Sequence, residues 1–366
     1  MKNFYFQFGH GSWWKIFRNV SFELEKRDPT LKCFGMTVGL NASLGLAETE
    51  IEVTAYEDIY GEIRKTPVSK DYLNKLIPDL EAKYGSLWKY AYSDRQFITY
   101  HHQDRYGKPS LNRDEILFTI CSFFLFFEKM FLEKKIGTVL VYATASAPFL
   151  IAAAVIERIG GNYLEIVNLR IPDRTTLCRG HKQASFALLG EPTQEDEKWA
   201  IDFYKDKKKL LEKPSWVQGP KPRIIETLSL VKLLELNSVA NKYKKHFKFF
   251  DVSDPGFLIS PLDIRISRVF KKIANRLDRF YRRSRYNEIP DDEEFAFFPL
   301  HVEPEASTLV LAPFFIDQIA LIEAVAKSLP GELRLCVKEH PHMVALRECG
   351  FYKRLTQIPN VILLRN

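Results

Sequence analysis

The stretch from Thr138 to Ile171 restricts the fold more than any other part of the sequence. It opens with TVLVYA, an apolar and largely β-branched run that is typical of strands buried on both faces of a parallel sheet. A strongly apolar helix is predicted over Phe149–Ile159, ends at Gly160-Gly161, and is followed by a strand over Tyr163–Leu169. Such a strand–helix–strand unit, with its expected right-handed crossover, indicates a doubly wound α/β sheet.

The first residues of the chain predict further strands of the same sheet. Lys2–Gln7 alternates in polarity and is followed by a glycine-rich turn around His10, which predicts a strand that leads into a helix over Trp13–Lys26. Other strands are predicted over Lys32–Val38 and Ile51–Tyr56, and helices over Lys70–Leu87 and Arg113–Lys134. Together with the strand–helix–strand unit, these elements indicate a Rossmann-like first domain.

The chain has 366 residues, which is more than one hydrophobic core usually supports, so two domains are expected. We predict a Rossmann-like domain over 1–262 with a helical insertion, a basic helix and acidic linker over 263–293, and a second α/β domain over 294–366. The strands predicted in the second domain are Phe295–Leu300, Leu333–Lys338 and Asn360–Leu364, and the helices are Ile316–Ser328 and Leu346–Leu355.

The second domain is expected to be incomplete. Residues 294–366 are fewer than the roughly 100 residues or more that a Rossmann-like domain needs. The last predicted strand also lacks a return helix. A chain that ends at Asn366 is therefore expected to bind a donor weakly and to turn over poorly.

Cysteine spacing and hydropathy predict a cytoplasmic protein without a metal site. The 5 cysteines are widely spread, form no C-x-x-C pair and have no histidine cluster nearby, which indicates a reducing compartment. No signal peptide is predicted at the start of the chain. The most apolar stretch, Ile116–Phe131, is too short to span a bilayer and carries Glu128 and Lys129, so a buried helix is predicted there.

Positive charge is concentrated in one segment. The net charge is +7, and residues 264–286 hold nine Lys or Arg against one acid, just before the acidic run 291–294. Apolar residues recur in this segment at three- and four-residue spacing, so two interpretations are open. It is either a peripheral helix that binds an anionic membrane surface, or a packed helix with a solvated basic face. No nucleic-acid-binding motif accompanies the charge, so nucleic acid is not a predicted partner.

Four loops are candidates for a binding site. In open α/β sheets, ligands bind beyond the carboxyl ends of the strands. This rule selects residues 8–12, 143–148, 301–308 and 339–342, which follow apolar strands and are rich in small, polar or ionisable residues. We therefore expect the functional side chains in these loops.

The segment Phe298–Thr308, FPLHVEPEAST, resembles the PLHxxPEAST signature of bacterial capsule and surface-carbohydrate biosynthesis proteins. The resemblance continues through Asp317-Gln318, Leu329-Pro330, Val337–Pro341 and Pro359–Val361. Because this family is similar to GT-B glycosyltransferases, the resemblance implies an α/β, GT-B-like fold with two Rossmann-like domains facing a cleft. It also implies a donor nucleotide mainly on the second domain, no obligatory metal, and no cofactor beyond the nucleotide-sugar that serves as co-substrate.

The His340-Pro341 pair is similar to a motif of transferases that use CMP-activated donors, which implies that it lies near the donor phosphate. A histidine at a strand end beside Lys338 can donate a hydrogen bond to a departing phosphate and offset its charge. The alternative is that His340 only caps the strand end.

The signature loop supplies five further candidates for the donor site: His301, Glu303, Glu305, Ser307 and Thr308. Glu303, as a candidate catalytic residue, and Glu305 are expected to hold a sugar hydroxyl or to orient the histidine. Alternatively, the two carboxylates form ion pairs with Lys338. The two hydroxyls are expected either to contact a phosphate or to cap a helix.

Inverting transfer needs a base for the acceptor hydroxyl on the first-domain side. His10 is the first candidate, because it follows the first strand between glycines and a histidine suits proton abstraction near neutral pH. Asp104, within the sequence HHQDR, is the second candidate. The alternatives are a histidine tolerated in a turn and a solvated loop.

These observations predict an inverting, metal-independent glycosyltransferase that works in capsule assembly, in the cytoplasm or peripherally on the inner face of the membrane. Its partners would be a nucleotide-sugar donor, preferably CMP-linked, and a lipid-linked or polysaccharide acceptor. UDP- and GDP-linked donors stay open. Two other functions also stay open: a CDP-linked polyol-phosphate transferase of the same fold, and a non-catalytic subunit of a polysaccharide-assembly machine.

Overall fold

The computed structural model describes most of the chain. The described residues are 2–9, 13–94, 97, 111–168, 175–182, 185–186, 191–206, 241–248, 287, 294–303, 305–340, 343, 347–348 and 350–364. Contacts divide the chain into two compact units. The first holds a seven-stranded sheet, and the second holds the helices between residues 55 and 128 together with a three-stranded sheet.

The sheet of the first unit has the strand order β3-β2-β1-β4-β5-β6-β7. Its strands are β1 Asn3–Phe8, β2 Cys33–Thr37, β3 Glu52–Ala55, β4 Ile136–Val141, β5 Asn162–Asn168, β6 Thr175–Arg179 and β7 Ser185–Phe186. β1 pairs in parallel with both β2 and β4, and β4 pairs in parallel with β5. The order 3-2-1-4-5 is that of a doubly wound, Rossmann-like sheet. The predicted α/β class is therefore confirmed.

Two short strands at the end of this sheet are not predicted by the sequence. β6 pairs antiparallel with β5, and β7 pairs antiparallel with β6. β6 reads TTLCR, which is too short and too polar to give a periodic strand signal. Its pairing places Cys178 opposite Glu165 of β5.

Eight helices with complete bounds precede the three-stranded sheet in the described part of the chain. They are α1 Trp13–Arg27, α2 Leu40–Leu46, α3 Tyr56–Lys65, α4 Lys70–Tyr84, α5 Trp88–Tyr92, α6 Arg113–Glu133, α7 Ala147–Arg158 and α8 Gln194–Lys205. Residues 241–246 are also helical. The helices predicted at α1, α6 and α7 are confirmed, and each predicted boundary lies within two residues of the observed one.

The helix predicted over Lys70–Leu87 is too long and needs correction. α4 ends at Tyr84, because Gly85 adopts φ +74°, a left-handed conformation that continues no helix. A separate short helix, α5, follows. The sequence also does not predict α2 and α3. Both follow directly after a strand in the chain, and the strand pattern of those residues is clearer than the helical pattern.

Aromatic residues form the core on one face of the first sheet. Phe6, Phe8 and Phe17 are fully buried, and the Phe6 ring stacks on Phe8 with ring centroids 5.6 Å apart and packs at a tilt against Phe17 with centroids 5.8 Å apart. Gly35 of β2 lies directly beneath this cluster. A Cβ atom at Gly35 would lie 2.5 Å from the Phe8 ring, so the packing requires a glycine there.

The apolar helix α6 is buried, as predicted. Phe123, Phe124 and Phe127 have no exposed surface, and Phe124 stacks on Tyr84 of α4 at 4.5 Å. The Tyr84 hydroxyl donates to Glu128 at 2.7 Å, which gives this carboxylate near the end of the helix a hydrogen-bond partner. Within the described residues, no helix has the length and apolar character needed to cross a membrane.

The sheet of the second unit is parallel and has the order β10-β9-β8. Its elements are β8 Phe295–Pro299, α9 Ala306–Leu309, a 3₁₀ turn Pro313–Phe315, α10 Gln318–Ser328, β9 Arg334–Lys338, α11 Phe351–Leu355 and β10 Val361–Leu364. Its buried core is built from α10, α11, β9, β10 and the residue that follows β8: Leu300, Ile319, Ile322, Ala326, Leu335, Val337, Phe351, Tyr352, Leu355 and Leu363. The three strands predicted in this part are confirmed.

Two expectations for the second unit need correction. The helix predicted over Leu346–Leu355 begins only at Phe351, after Gly350 with φ +86°. The loop predicted over 301–308 ends early, because α9 begins at Ala306. The predicted linker 263–293 lies outside the described residues except for Asn287, so the domain boundaries stay predictions.

Candidate functional site

The three parallel strands of the second unit end level with one another. Lys338, the last residue of β9, is in register with Pro299 of β8 and with Leu364 of β10. The Leu300 amide extends the ladder by donating to the Lys338 carbonyl at 2.9 Å. The predicted donor-site loops, which begin at His301 and Glu339, therefore leave the sheet side by side at its carboxyl edge, where ligands bind in α/β sheets.

Arg347 holds these loops together. Its side chain is 2% exposed, and it donates four hydrogen bonds to described residues. Two go to Glu339 at 2.9 and 3.0 Å, one to Glu303 at 2.8 Å, and one to the His301 carbonyl at 2.7 Å. The guanidinium also lies over the Phe351 ring at 4.8 Å. A planar guanidinium suits this task, because its N–H groups form a fixed fork.

Glu339 is the central acceptor of the cluster and has no exposed side-chain surface. Besides the two bonds from Arg347, its carboxylate accepts a hydrogen bond from the Tyr352 hydroxyl at 2.6 Å and one from the His340 amide at 2.7 Å. A buried carboxylate is stable only when it is paired and hydrogen-bonded, and Glu339 meets that condition. The bond to His340 ties the start of the second loop to the same cluster.

Glu303 is the second carboxylate of the cluster and is mostly buried. It accepts hydrogen bonds from Arg347 and from the Gln318 amide group. Burial raises the pKa of the Glu303 carboxyl above its ordinary value, and the Arg347 charge and the Gln318 hydrogen bond offset this only in part. For Arg347, burial lowers the pKa of the guanidinium, but the bonds and charge of Glu339 outweigh it, so the pKa is raised.

The backbone of His301 is held from two sides, while its side chain is exposed. Gln318, the first residue of α10, accepts a hydrogen bond from the His301 amide at 2.7 Å and donates one to the His301 carbonyl at 3.2 Å. Asp317 caps α10 by accepting from the amides of Ile319 and Ala320. The histidine is therefore presented at the sheet edge by fixed main-chain contacts.

Ser307 and Thr308 lie inside α9 rather than before it, and Glu305 is the residue at its N-terminal cap. The Ser307 hydroxyl donates to the Glu305 carboxylate at 3.2 Å, and the Thr308 hydroxyl donates to the Glu305 carbonyl at 3.0 Å. Both hydroxyls act as donors, so the capping alternative, in which they accept from free N–H groups, does not describe them. Thr308 is buried, whereas Glu305 is exposed.

Lys338 and His340 complete the described part of the site. Lys338 is exposed at the end of β9, and His340 is half-buried one residue beyond Glu339. The His340 carbonyl accepts a hydrogen bond from the Met343 amide at 2.8 Å. Pro341 lies outside the described residues, as do His10 and Asp104, the two candidates for the base.

The carboxyl edge of the first sheet carries its own buried polar contacts. Just beyond β4, the Thr144 hydroxyl is 2.8 Å from both the Tyr163 hydroxyl and the Glu165 carboxylate of β5. All three residues are buried. Nearby, the Trp13 ring stacks on Tyr142 with centroids 3.9 Å apart. These contacts fix the loop that follows β4, which the sequence selects as a candidate site.

The sequence interpretation misses Arg347 and the role of Gln318. It treats Lys338 as the alternative partner of Glu303, whereas the observed cation is Arg347. The signal in the sequence is weak: an arginine in a predicted helix that follows the Val337–Pro341 motif, which contains one acid and one histidine. The ion pair between Glu303 and Arg347 can be recognised only once the fold shows that the two residues are in contact.

Comparisons with known proteins identify no family. No protein-family model matches the sequence, and no curated protein matches it. Among the solved structures that are similar to the chain is UDP-GlcNAc 2-epimerase from Methanocaldococcus jannaschii, with 12% identity, a TM-score of 0.24, and coverage of 100% of this chain and 73% of that chain. Another is UDP-GlcNAc 2-epimerase from Neisseria meningitidis bound to UDP-GlcNAc, with 11% identity, a TM-score of 0.25, and coverage of 100% and 72%. TM-scores this low do not establish a shared fold, and nothing about this chain follows from the two names.

Proposed function

We propose that this protein is a glycosyltransferase that moves a sugar from a nucleotide-activated donor to a bacterial surface polysaccharide. The observation that carries the proposal is that His301, Lys338 and His340 lie at or just beyond the ends of two adjacent parallel strands at one sheet edge, within a sequence that resembles a surface-carbohydrate signature. Ligands bind at this edge in α/β proteins. The three side chains supply hydrogen-bond donors and positive charge, which suits a phosphate.

In this proposal, the chemistry is the stabilisation of a departing nucleotide. Glycosyl transfer leaves negative charge on the phosphate oxygen, and fixed donors aimed at that oxygen lower the barrier. His340 and Lys338 would supply these donors. A CMP-linked donor is preferred because of the resemblance of the His340-Pro341 pair, while Ser307 and Glu305 would contact the donor at the rim.

The contacts of Glu303 favour an indirect role for that residue. Its carboxylate already accepts from Arg347 and Gln318, so it would act by holding the His301 loop rather than by contacting the sugar. His10, with Asp104 as the second candidate, is proposed as the base that deprotonates the acceptor hydroxyl. The acceptor is proposed to be lipid-linked or polysaccharide, with residues 264–286 as a contact to an anionic membrane surface.

The experiment is a single-turnover assay with the protein in molar excess over CMP-, UDP- or GDP-linked sugar, in the presence of a polysaccharide acceptor. Release of the free nucleotide is followed by chromatography. We expect release from one donor class that depends on the acceptor and falls at least about tenfold in His340→Asn, because a stabilised leaving group is worth this much or more.

The matched control is His246→Asn, which changes an exposed histidine in the helical segment 241–246. It should release nucleotide at the rate of the unchanged protein. The proposal is contradicted if no donor releases nucleotide above the blank, or if His340→Asn releases it as fast as the control. Transfer of a polyol phosphate from a CDP-linked donor would instead identify the polyol-phosphate transferase.

A further inference from the structure

The main chains of His301 and His340 are connected through only two side chains. The His301 carbonyl accepts from Arg347, Arg347 donates to Glu339, and Glu339 accepts from the His340 amide. The three distances are 2.7, 2.9 and 2.7 Å. Each loop that carries a proposed phosphate-binding histidine is thus bonded to the same buried ion pair.

We infer that Arg347 is a positioning residue that sets the spacing of the His301 and His340 loops at the sheet edge, an inference that rests on the proposed function. Two neighbouring donors can bind one phosphate only if their separation is fixed. Misplacement of a group by about 1 Å can cost about a hundredfold in rate.

The geometry of Arg347 supports positioning rather than stabilisation alone. A residue that merely neutralised buried carboxylates would need no bond to a main-chain carbonyl. Arg347 uses one nitrogen, Nη2, for both Glu339 and the His301 carbonyl, so the direction of the guanidinium plane is coupled to the path of the first loop. The Phe351 ring lies against the guanidinium, 4.8 Å from its centroid to Cζ, and restricts its rotation.

A lysine at this position would keep the charge but could not reproduce the fork. Its single ammonium cannot bond both oxygens of Glu339, Glu303 and a carbonyl in one plane. Arg347→Lys therefore separates charge compensation from positioning. Ile322→Val is the matched control, because Ile322 is fully buried in the same core and its side chain has no polar group that could take part in the hydrogen bonds of Arg347.

The experiment combines two measurements on the whole chain. The first is the affinity for CMP, UDP and GDP by calorimetric titration, at a temperature where both variants are folded. The second is the ¹H–¹³C spectrum of histidine-labelled protein, with the signals assigned by His301→Gln and His340→Gln. We expect Arg347→Lys to weaken the affinity at least about tenfold and to move both imidazole signals, as misplacement of the loops requires. Ile322→Val should change neither.

Two results would overturn the inference. One is an Arg347→Lys protein that is folded and has unmoved histidine signals. The other is a loss of affinity that Ile322→Val reproduces at the same loss of melting temperature, which would assign Arg347 a purely structural role. If Arg347→Lys does not fold, Tyr352→Phe replaces it, because it removes the 2.6 Å bond to Glu339 while keeping the ring, and it should give the same changes more weakly.

The failure of the proposed function would be recognised separately. If the unchanged protein binds none of the three nucleotides, the proposed function is wrong. The histidine signals then still decide whether Arg347 couples the two loops.

Discussion

Glu339 and Arg347 form a doubly hydrogen-bonded ion pair that is almost completely withdrawn from solvent. The two distances are 2.9 and 3.0 Å, and the side chains are 0% and 2% exposed. The pair lies at the carboxyl edge of the second sheet, between the loops that carry the two proposed phosphate-binding histidines.

Glu339→Gln should destabilise the protein by about 3–5 kcal/mol, because removal of one partner leaves the other charge buried and uncompensated. The free energy of unfolding is measured by urea denaturation. Glu348→Gln is the control, since its pair with Arg354 is about half exposed on both sides and 3.5 Å long. An exposed pair of this kind is worth about 0–1 kcal/mol. Equal losses in the two variants would contradict the account of the buried pair.

Glu303→Gln should change how stability depends on pH. The raised pKa means that the folded protein keeps the Glu303 proton at pH values where the unfolded chain has lost it. The stability that this group contributes is therefore complete below its ordinary value of 4.5 and is lost as the pH rises through the folded pKa.

Relative to the unchanged protein, Glu303→Gln should thus gain stability as the pH rises above 4.5, by up to about 1.4 kcal/mol per pH unit. Urea denaturation at a series of pH values measures the difference. A difference that is independent of pH, or that shrinks as the pH rises, would show that the pKa of Glu303 is not raised.

Gly35→Ala should cost about 1–3 kcal/mol, because the new methyl group would overlap the Phe8 ring and the Phe6 carbonyl. The added Cβ would lie 2.5 Å from the ring and 2.6 Å from the carbonyl oxygen. Gly331→Ala is the matched control, because nothing lies within 4 Å of its added Cβ. Thermal unfolding of both variants tests the prediction. A stable Gly35→Ala protein would contradict the packing described for the first sheet.

Thr144→Val should destabilise the protein by about 1–3 kcal/mol, since the buried Tyr163 hydroxyl and Glu165 carboxylate each lose a hydrogen bond. The valine keeps the size and shape of the threonine, so the packing is preserved. Thr66→Val serves as the comparison, because Thr66 is exposed and bonds only a helix carbonyl at 3.0 Å among the contacts described. Equal unfolding free energies for the two variants would contradict the buried hydrogen bonds described for the Thr144 hydroxyl.

The strands and most long helices could be predicted from the sequence because their signals are local. The apolar, largely β-branched run Thr138–Val141 predicts a strand without reference to the rest of the chain, and it lies in β4. Gly160-Gly161 ends α7 by backbone conformation alone, with φ +79° at Gly160. The short strands β6 and β7 could not be predicted, since the pairing of β6 with β5 and of β7 with β6, rather than residue preference, holds them in the sheet.

The candidate site divides in the same way. The loops of His301 and His340 could be placed at one edge from the order of strands and motifs. The Arg347 contacts could not be predicted, because Glu303 lies 44 residues away in the chain and the His301 carbonyl 46. No local sequence pattern indicates which of the many charged residues, most of which are exposed, is buried at the edge of a sheet. A buried arginine is recognised from its surroundings rather than from its sequence.

The measurement that tests the central claim most directly is a calorimetric titration of the protein with CMP, UDP and GDP. The account predicts saturable binding of at least one nucleotide. It also predicts affinity at least about tenfold weaker in His340→Asn and unchanged in His246→Asn, since a charge-assisted bond to phosphate is worth about 1.4 kcal/mol or more. Absence of binding at millimolar nucleotide, or equal affinity in the two variants, would contradict a phosphate site at the edge of the second sheet.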